Sequence, residues 1–435
     1  MRDYFCSSSS KAGYVWQPLD LVCQSGFLDR AFELRLMDAA ASRLGADDVL
    51  REAASFGPDV VYSLAGTANY PGDMEFLAKL HEATGARLFI SGDFARFAPE
   101  LVLERWPFVE GIVMDFTGPA LFDYLRDGSA GAGLLERGGE SRDAAPRDGF
   151  AYPVPRHDLF VRLPYTMPFL GRPFASVLTN YGCPYRCSFC NSGSLGFARR
   201  DLDDLFSELD AIHSMGVRNL FVKDMTFNAD MEHAKRILNR WLERGYEFRW
   251  IGYFRAELMD DELAELLART RLAVAQVGIE TANERVLRKH KPAADLKKAA
   301  DGIKALNRRG VRVGAHFIFG LPGDDPDGFR RTVEFARSFN FAYASFNAFA
   351  PRIGSELFRP SDKVAISFSD PSSVTGDGNT GADGLRAAVA SAYREFYIRP
   401  RYVLSLLKEL KNPRIFIDIV KLGLGVLRAA ARSKR

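Results

Sequence analysis

The sequence predicts an α/β protein in two parts. An N-terminal doubly wound, Rossmann-like domain precedes a partial or complete six-unit α/β barrel that ends in a helical C-terminal tail. Three observations predict this. Short apolar runs alternate with amphipathic helical patterns over residues 32–125, a polar glycine-rich break follows at 126–150, and six further strand–helix units run in order from residue 174. Such alternation is the pattern of parallel sheets joined by helical crossovers. At 435 residues and 47% hydrophobic content, the chain can bury more than one core.

In the first part, FELRLMD (32–38) reads as a strand and DDVLREAASFG (47–57) as a helix. PDVVYSLAG (58–66), ARLFISGD (86–93) and VEGIVMDF (109–116) read as further strands, separated by helical GDMEFLAKLHEATG (72–85) and APELVLERW (98–106). Ligands of doubly wound sheets sit at the C-terminal strand ends. The stretch 126–150 is rich in Gly, Ser, Arg and Asp and reads as a linker or mobile loop. FASVLTNYG (174–182) then opens the second series, with strands following at NLFVKDMTF (219–227), FRWIGYFRA (248–256), LAVAQVGIE (272–280), VRVGAHFIFGLPGDD (311–325) and YASFNAFAPRIG (343–354). Helical patterns fill the intervals. The expected boundaries are 1–125 for the first domain, 126–171 for the linker, 172–360 for the barrel and 361–435 for the helical C-terminal region.

A formal charge of +3 leaves no general nucleic-acid footprint. Five cysteines in so long a chain do not make a disulfide framework. They point to a reducing compartment and to thiolate-bound metal. The first residues carry no apolar signal core, and no run reaches the ~18 apolar residues of a membrane span. The expected setting is the cytoplasm.

The chemistry concentrates in GCPYRCSFCN (182–191), which holds Cys183, Cys187 and Cys190 directly after the first barrel strand. Barrel sites lie at that end of the strands. Three soft thiolates on one loop can converge on a metal centre. A structural zinc site needs a fourth ligand, and none lies nearby; a distant histidine is the alternative. A C-x-x-C redox pair would account for Cys187 and Cys190 but not for Cys183.

This spacing, with Phe189 before the last cysteine, resembles the radical S-adenosylmethionine (SAM) superfamily. The resemblance implies a 4Fe–4S cluster held by Cys183, Cys187 and Cys190, whose open iron binds SAM. It further implies reductive cleavage of a C–S bond, usually to a 5′-deoxyadenosyl radical. Other segments share the likeness. FVKDMTF would place Lys223, Asp224 and Thr226 near the SAM amino and carboxylate groups; Arg255 would meet the carboxylate or ribose. Glu280 and Thr281 would face the cofactor, and backbone around Ile318 and Gly320 would lie along the adenine. Two departures are visible, Asp324 where the family has Glu and Ile353 where it has proline in P-x-P-G-T-x-L. Residue by residue, a turn at Gly320 and Gly323, a helix cap at Asp224 and an ion pair at Glu280 are the structural alternatives. No catalytic residue is assigned.

A doubly wound domain ahead of such a barrel resembles the cobalamin-binding subfamily of methylases and ring-forming enzymes that act on lipids, tetrapyrroles and antibiotics. The likeness covers most of residues 15–405. The subfamily's D-x-H-x-x-G cobalt-binding motif is missing, however; Asp38 is followed by Ala39-Ala40-Ala41-Ser42-Arg43. Cobalamin is therefore one alternative, and a cobalt-free domain that shapes the substrate cavity is the other. The first implies methyl transfer and the second cyclisation, rearrangement or other C–C or C–heteroatom bond formation. Transfer of the 3-amino-3-carboxypropyl group of SAM and a non-catalytic SAM- or corrinoid-binding sensor are further readings. Implied partners are a small-molecule or lipid-like substrate and a flavodoxin- or ferredoxin-type reductant. The C-terminal run to Arg428, Arg432, Lys434 and Arg435 reads either as a helix packed on the barrel or as peripheral contact with an anionic membrane. Phe317, Phe319, Phe346 and Phe349 read as pocket lining or as barrel core.

Overall fold

The computed structural model describes residues 14–66, 70–129, 131–139, 147–358 and 382–400, together with 402, 404 and 417. Most of the expected basic tail lies outside the described residues. In the first domain, β1 (Val60–Leu64), β2 (Arg87–Ser91) and β3 (Val109–Val113) are parallel neighbours in that order. Alternate residues of these strands supply two layers of core. Leu88, Ile90 and Ile112 meet Met74, Leu77 and Val102 of the crossover helices on one face. Phe89 and Val113 meet Leu121 on the other.

Two sequence expectations need correction. FELRLMD does not join the sheet; residues 33–38 are irregular chain leading into the short helix Ala39–Ser42. The physical reason is its single apolar side. Glu33 and Arg35 are exposed, and Arg35 pairs with Glu52 at 2.5 Å, whereas a sheet position covered on both faces requires apolar residues on both. Nor is the linker wholly without structure. Its Leu134 and Leu135 are buried in β4 (Leu134–Glu136), which pairs antiparallel with β3, and β5 (Gly149–Phe150) joins a small sheet further on.

The expected strand 174–182 divides in two. β6 (Ala175–Val177) belongs to the barrel, whereas β7 (Asn180–Gly182) pairs with β8 (Phe197–Arg200) in a three-stranded sheet with β5. The barrel continues through β9 (Asn219–Val222), β10 (Arg249–Phe254), β11 (Leu272–Glu280), β12 (Arg312–Phe319) and β13 (Tyr343–Ala348). All six strands are parallel, with β6 and β13 at the two edges. Among the described residues this is an open, partial barrel. At its free edge Gln17 stands in for a strand: its amide donates to Phe174 O at 2.8 Å and accepts from Ser176 N–H at 2.7 Å.

Helices seal the outside of the barrel. Phe317, Phe319 and Phe346 point outward into this core, where Phe319 stacks on Phe329 at 4.8 Å and Phe346 meets Phe396 of the C-terminal helix Ala382–Tyr397. Those three are therefore barrel core. Phe349 instead lies with Leu321, Phe189 and Ile318 near the C-terminal strand ends. At the opposite end, Tyr14 and residues 167–169 form a floor over a cavity of about 30 Å³ that reaches Ile251, Gln276 and Tyr343. Phe169 stacks on Tyr343 there, at 5.9 Å.

Candidate active site

The cysteine loop leaves β7 through Gly182, whose φ of +71° and close approach to Gly196 suit glycine alone: an added Cβ would stand 2.0 Å from Gly196 O. Cys183 N–H donates to that same carbonyl at 2.9 Å. The loop then turns tightly, with Cys190 N–H donating to Cys187 O at 3.0 Å and Ser192 N–H to Cys190 Sγ at 3.4 Å. Ser188 ties it to the barrel. Its N–H reaches His290 O at 2.9 Å, and its hydroxyl meets His290 Nδ1 at 2.7 Å. The other ring nitrogen of His290 meets Pro322 O at 2.8 Å.

All three thiols are half-buried. Burial pushes Cys183 upward and Cys187 up to about 12, while Arg255 and Lys291 draw Cys187 back down. Among the described residues no three His, Cys, Asp or Glu side chains gather on a point suited to one metal ion. Three thiols on one loop, an N–H directed at sulfur and two nearby cations do fit an anionic iron–sulfur cluster with one iron left open.

Behind the loop lies a charge network. The Arg255 guanidinium covers the Tyr185 ring at 3.8 Å and donates to Glu257 and to Pro292 O, each at 2.9 Å. Lys291 Nζ donates to Gly278 O at 2.5 Å and stands 3.5 Å from Glu257 and 3.9 Å from Glu280. Glu280 takes a left-handed φ of +68° that folds its carboxylate back over Gly278. Burial raises the Glu280 carboxyl; Lys291 opposes that shift.

The eight expected cofactor-binding residues divide evenly. Thr226 Oγ1 lies 3.9 Å from Cys183 Sγ, Ile318 packs, like Phe189, against the small core of Val286, Leu321 and Phe349, and Arg255 and Glu280 act electrostatically on Cys187. The other four are engaged with protein. Lys223 extends its ammonium over the Trp16 ring at 4.8 Å. Asp224 accepts from Thr179 N–H at 2.7 Å, Asn180 N–H at 3.2 Å, Asn180 Nδ2 at 3.0 Å and the Thr179 hydroxyl, and burial pushes it up to about 6. Thr281 accepts from Asn283 N–H at 3.0 Å and meets Thr332. Gly320, at φ +84°, leaves room for Leu385, which an added Cβ would meet at 2.7 Å. Asp324 serves its own turn, accepting from Asn283 Nδ2 at 3.1 Å and Asp325 N–H at 3.0 Å. Sequence reasoning missed Lys291, Glu257 and His290. The run RKHKP after the fourth barrel strand was the available signal for two of them.

The N-terminal domain also reaches the loop. Asn191, next to Cys190, donates to Asp93 Oδ2 just beyond β2 and to Ile353 O, both at 3.2 Å. Burial pushes Asp93 up to about 7. Nearby, Ser91 at the end of β2 stands within hydrogen-bond reach of both the buried Asp20 carboxyl, on the helix Leu19–Leu28, and the buried Tyr62 hydroxyl in the middle of β1. Asp38 offers no metal site; it accepts from Ala41 N–H at 3.0 Å and Tyr165 Oη at 2.6 Å. Among the described residues no histidine stands at these strand ends, so a corrinoid would be held here without a protein ligand to cobalt.

Residues 177–336 match the radical SAM superfamily. An uncharacterized methyltransferase of Pyrococcus horikoshii is 24% identical over 90% of this chain and 90% of its own. The cytidylyl-2-hydroxyethylphosphonate methyltransferase of Streptomyces wedmorensis is 24% identical over 75% of this chain and 71% of its own. Among solved structures, the radical SAM methyltransferase TsrM of Kitasatospora setae, with cobalamin and a [4Fe–4S] cluster bound, superposes with a TM-score of 0.64. It is 20% identical and covers 78% of this chain and 71% of its own.

Proposed function

We propose, for a chain that belongs to the radical SAM superfamily and is an enzyme of its transferase type, that it transfers a methyl group to a small molecule held in the barrel lumen. One observation carries the reading: three half-buried thiols stand on a loop at the rim of a lumen that is floored at its far end. When bound, the cluster and SAM supply a reductively cleavable C–S bond. Cys183, Cys187 and Cys190 would hold the cluster. Arg255 and Lys291 offset its negative charge, and Tyr185 keeps the Arg255 guanidinium flat against the loop. Ile318 and Phe189 offer an apolar bed at the same end.

Methylation is favoured over ring formation because the two long relatives described above carry methyltransferase names. Doubly wound sheets take their ligands at the C-terminal ends of their strands, which favours a ligand in that crevice. We assign it a corrinoid, as the TsrM structure contains. A small flavin or iron–sulfur protein is the proposed reductant, and the reducing cytoplasm the proposed setting. Anaerobic incubation with SAM, cobalamin and a strong reductant tests the reading. S-Adenosylhomocysteine is the expected product. Methylthioadenosine would instead indicate aminocarboxypropyl transfer, and intact SAM would overturn the assignment. Failure to retain a corrinoid would remove cobalamin and leave the radical chemistry standing.

A further inference from the structure

The two faces of the barrel wall differ in a way that defines a space. Along β12 and β13 the outward residues Ala315, Phe317, Ala344 and Phe346 are buried, whereas inward His316, Ile318, Ser345 and Asn347 keep some exposure. Inward side chains that keep some exposure while the outer wall is sealed face the barrel interior. Within it His316 stands in register with Gly278 of β11 and Ser345 of β13, one inward step below Ile318. Its ring lies 6.5 Å from the Tyr253 ring and 5.8 Å from the Tyr343 ring. His316 Nε2 is buried and has no hydrogen-bond partner. Burial lowers the imidazole to about 4, so it is uncharged at neutral pH.

A buried ring nitrogen without a partner is costly, and a bound ligand is the ready source of one. A hydroxyl serves either tautomer of a neutral imidazole, because it both donates and accepts. Flanking tyrosine rings favour a flat apolar body attached to that hydroxyl. We propose that His316 is the specificity-determining residue of the lumen, holding the hydroxyl of a flat, phenol-like substrate between Tyr253 and Tyr343. This rests on the reading that the lumen receives the substrate.

The test uses the anaerobically reconstituted full chain and two isosteric probes, p-cresol and p-xylene, with binding followed by equilibrium dialysis. Wild type is expected to hold p-cresol roughly tenfold more tightly, the worth of one hydrogen bond to a buried group. That preference should vanish in His316→Leu and persist in His316→Gln. Should His316→Leu not fold, the imidazole ¹⁵N resonance missing from His316→Gln must move in wild type with p-cresol and stay still with p-xylene. Equal affinities, binding of neither probe, a preference that survives in His316→Leu, or an unmoved resonance would each overturn the assignment. SAM cleavage measured on the same preparations separates the two readings. Cleavage without the preference removes the role of His316 alone; the preference without cleavage removes the radical reading alone.

Discussion

Asp224 shows what a single buried carboxylate does when its neighbours supply all its partners. Two backbone N–H groups, at Thr179 and Asn180, have it as their acceptor. Asp224→Ala strands both and should cost about 3 kcal/mol, read from urea unfolding. Asp224→Asn should cost less, about 1 kcal/mol, because its amide oxygen keeps both backbone N–H groups and the Thr179 hydroxyl can rotate to accept from the new amide. The pH dependence follows from burial. With the carboxyl raised to about 6 from 3.8, charge on it is disfavoured in the native state. Its contribution to stability is full below about pH 4 and is lost as pH rises through about 6. Asp224→Asn should flatten that slope, and an unchanged slope would contradict it. At the cysteines, Cys187→Ala should abolish iron retention and SAM cleavage, measured as bound iron and as SAM-derived products. The cysteines were legible because their information is local: three sulfurs in eight positions. Lys291 and His316 were not, since their meaning depends on which strand turns which side chain inward.

At the scale of elements, the alternating strand and helix patterns located β1 to β3 and all six barrel strands, because periodicity records which face is covered. The two misread stretches failed for a related reason. FELRLMD has strand-like alternation but only one apolar side, and Leu134-Leu135 is too short a run to stand out of a glycine-rich segment. The loop after β7 makes the sharpest prediction here. Gly182→Ala places a Cβ against Gly196 O and forces a left-handed φ on a residue with a side chain. The expected loss is at least about 2 kcal/mol, accompanied by a lower iron content after reconstitution. Full iron loading would show that the loop tolerates the shift.

For the molecule as a whole, the N-terminal residues and the barrel form one structure. Gln17 pairs with the edge strand, Tyr14 closes the floor, and Asn191 joins the cysteine loop to Asp93. A chain lacking residues 14–28 should be insoluble or melt without cooperativity, checked by calorimetry; a sharp transition would argue that the barrel stands alone. Sequence patterning separated two domains but carried no sign of this bracing, which runs through side chains 98 to 159 positions apart.

The floor has a kinetic consequence. A chamber shut at one end admits its contents from the other, so whatever lies deepest has to arrive first and depart last. With SAM seated at the cysteine loop, the small molecule would already be inside, and its modified form would wait for the spent nucleoside to leave. Turnover would be compulsory in order, and an excess of SAM would slow rather than hasten the reaction.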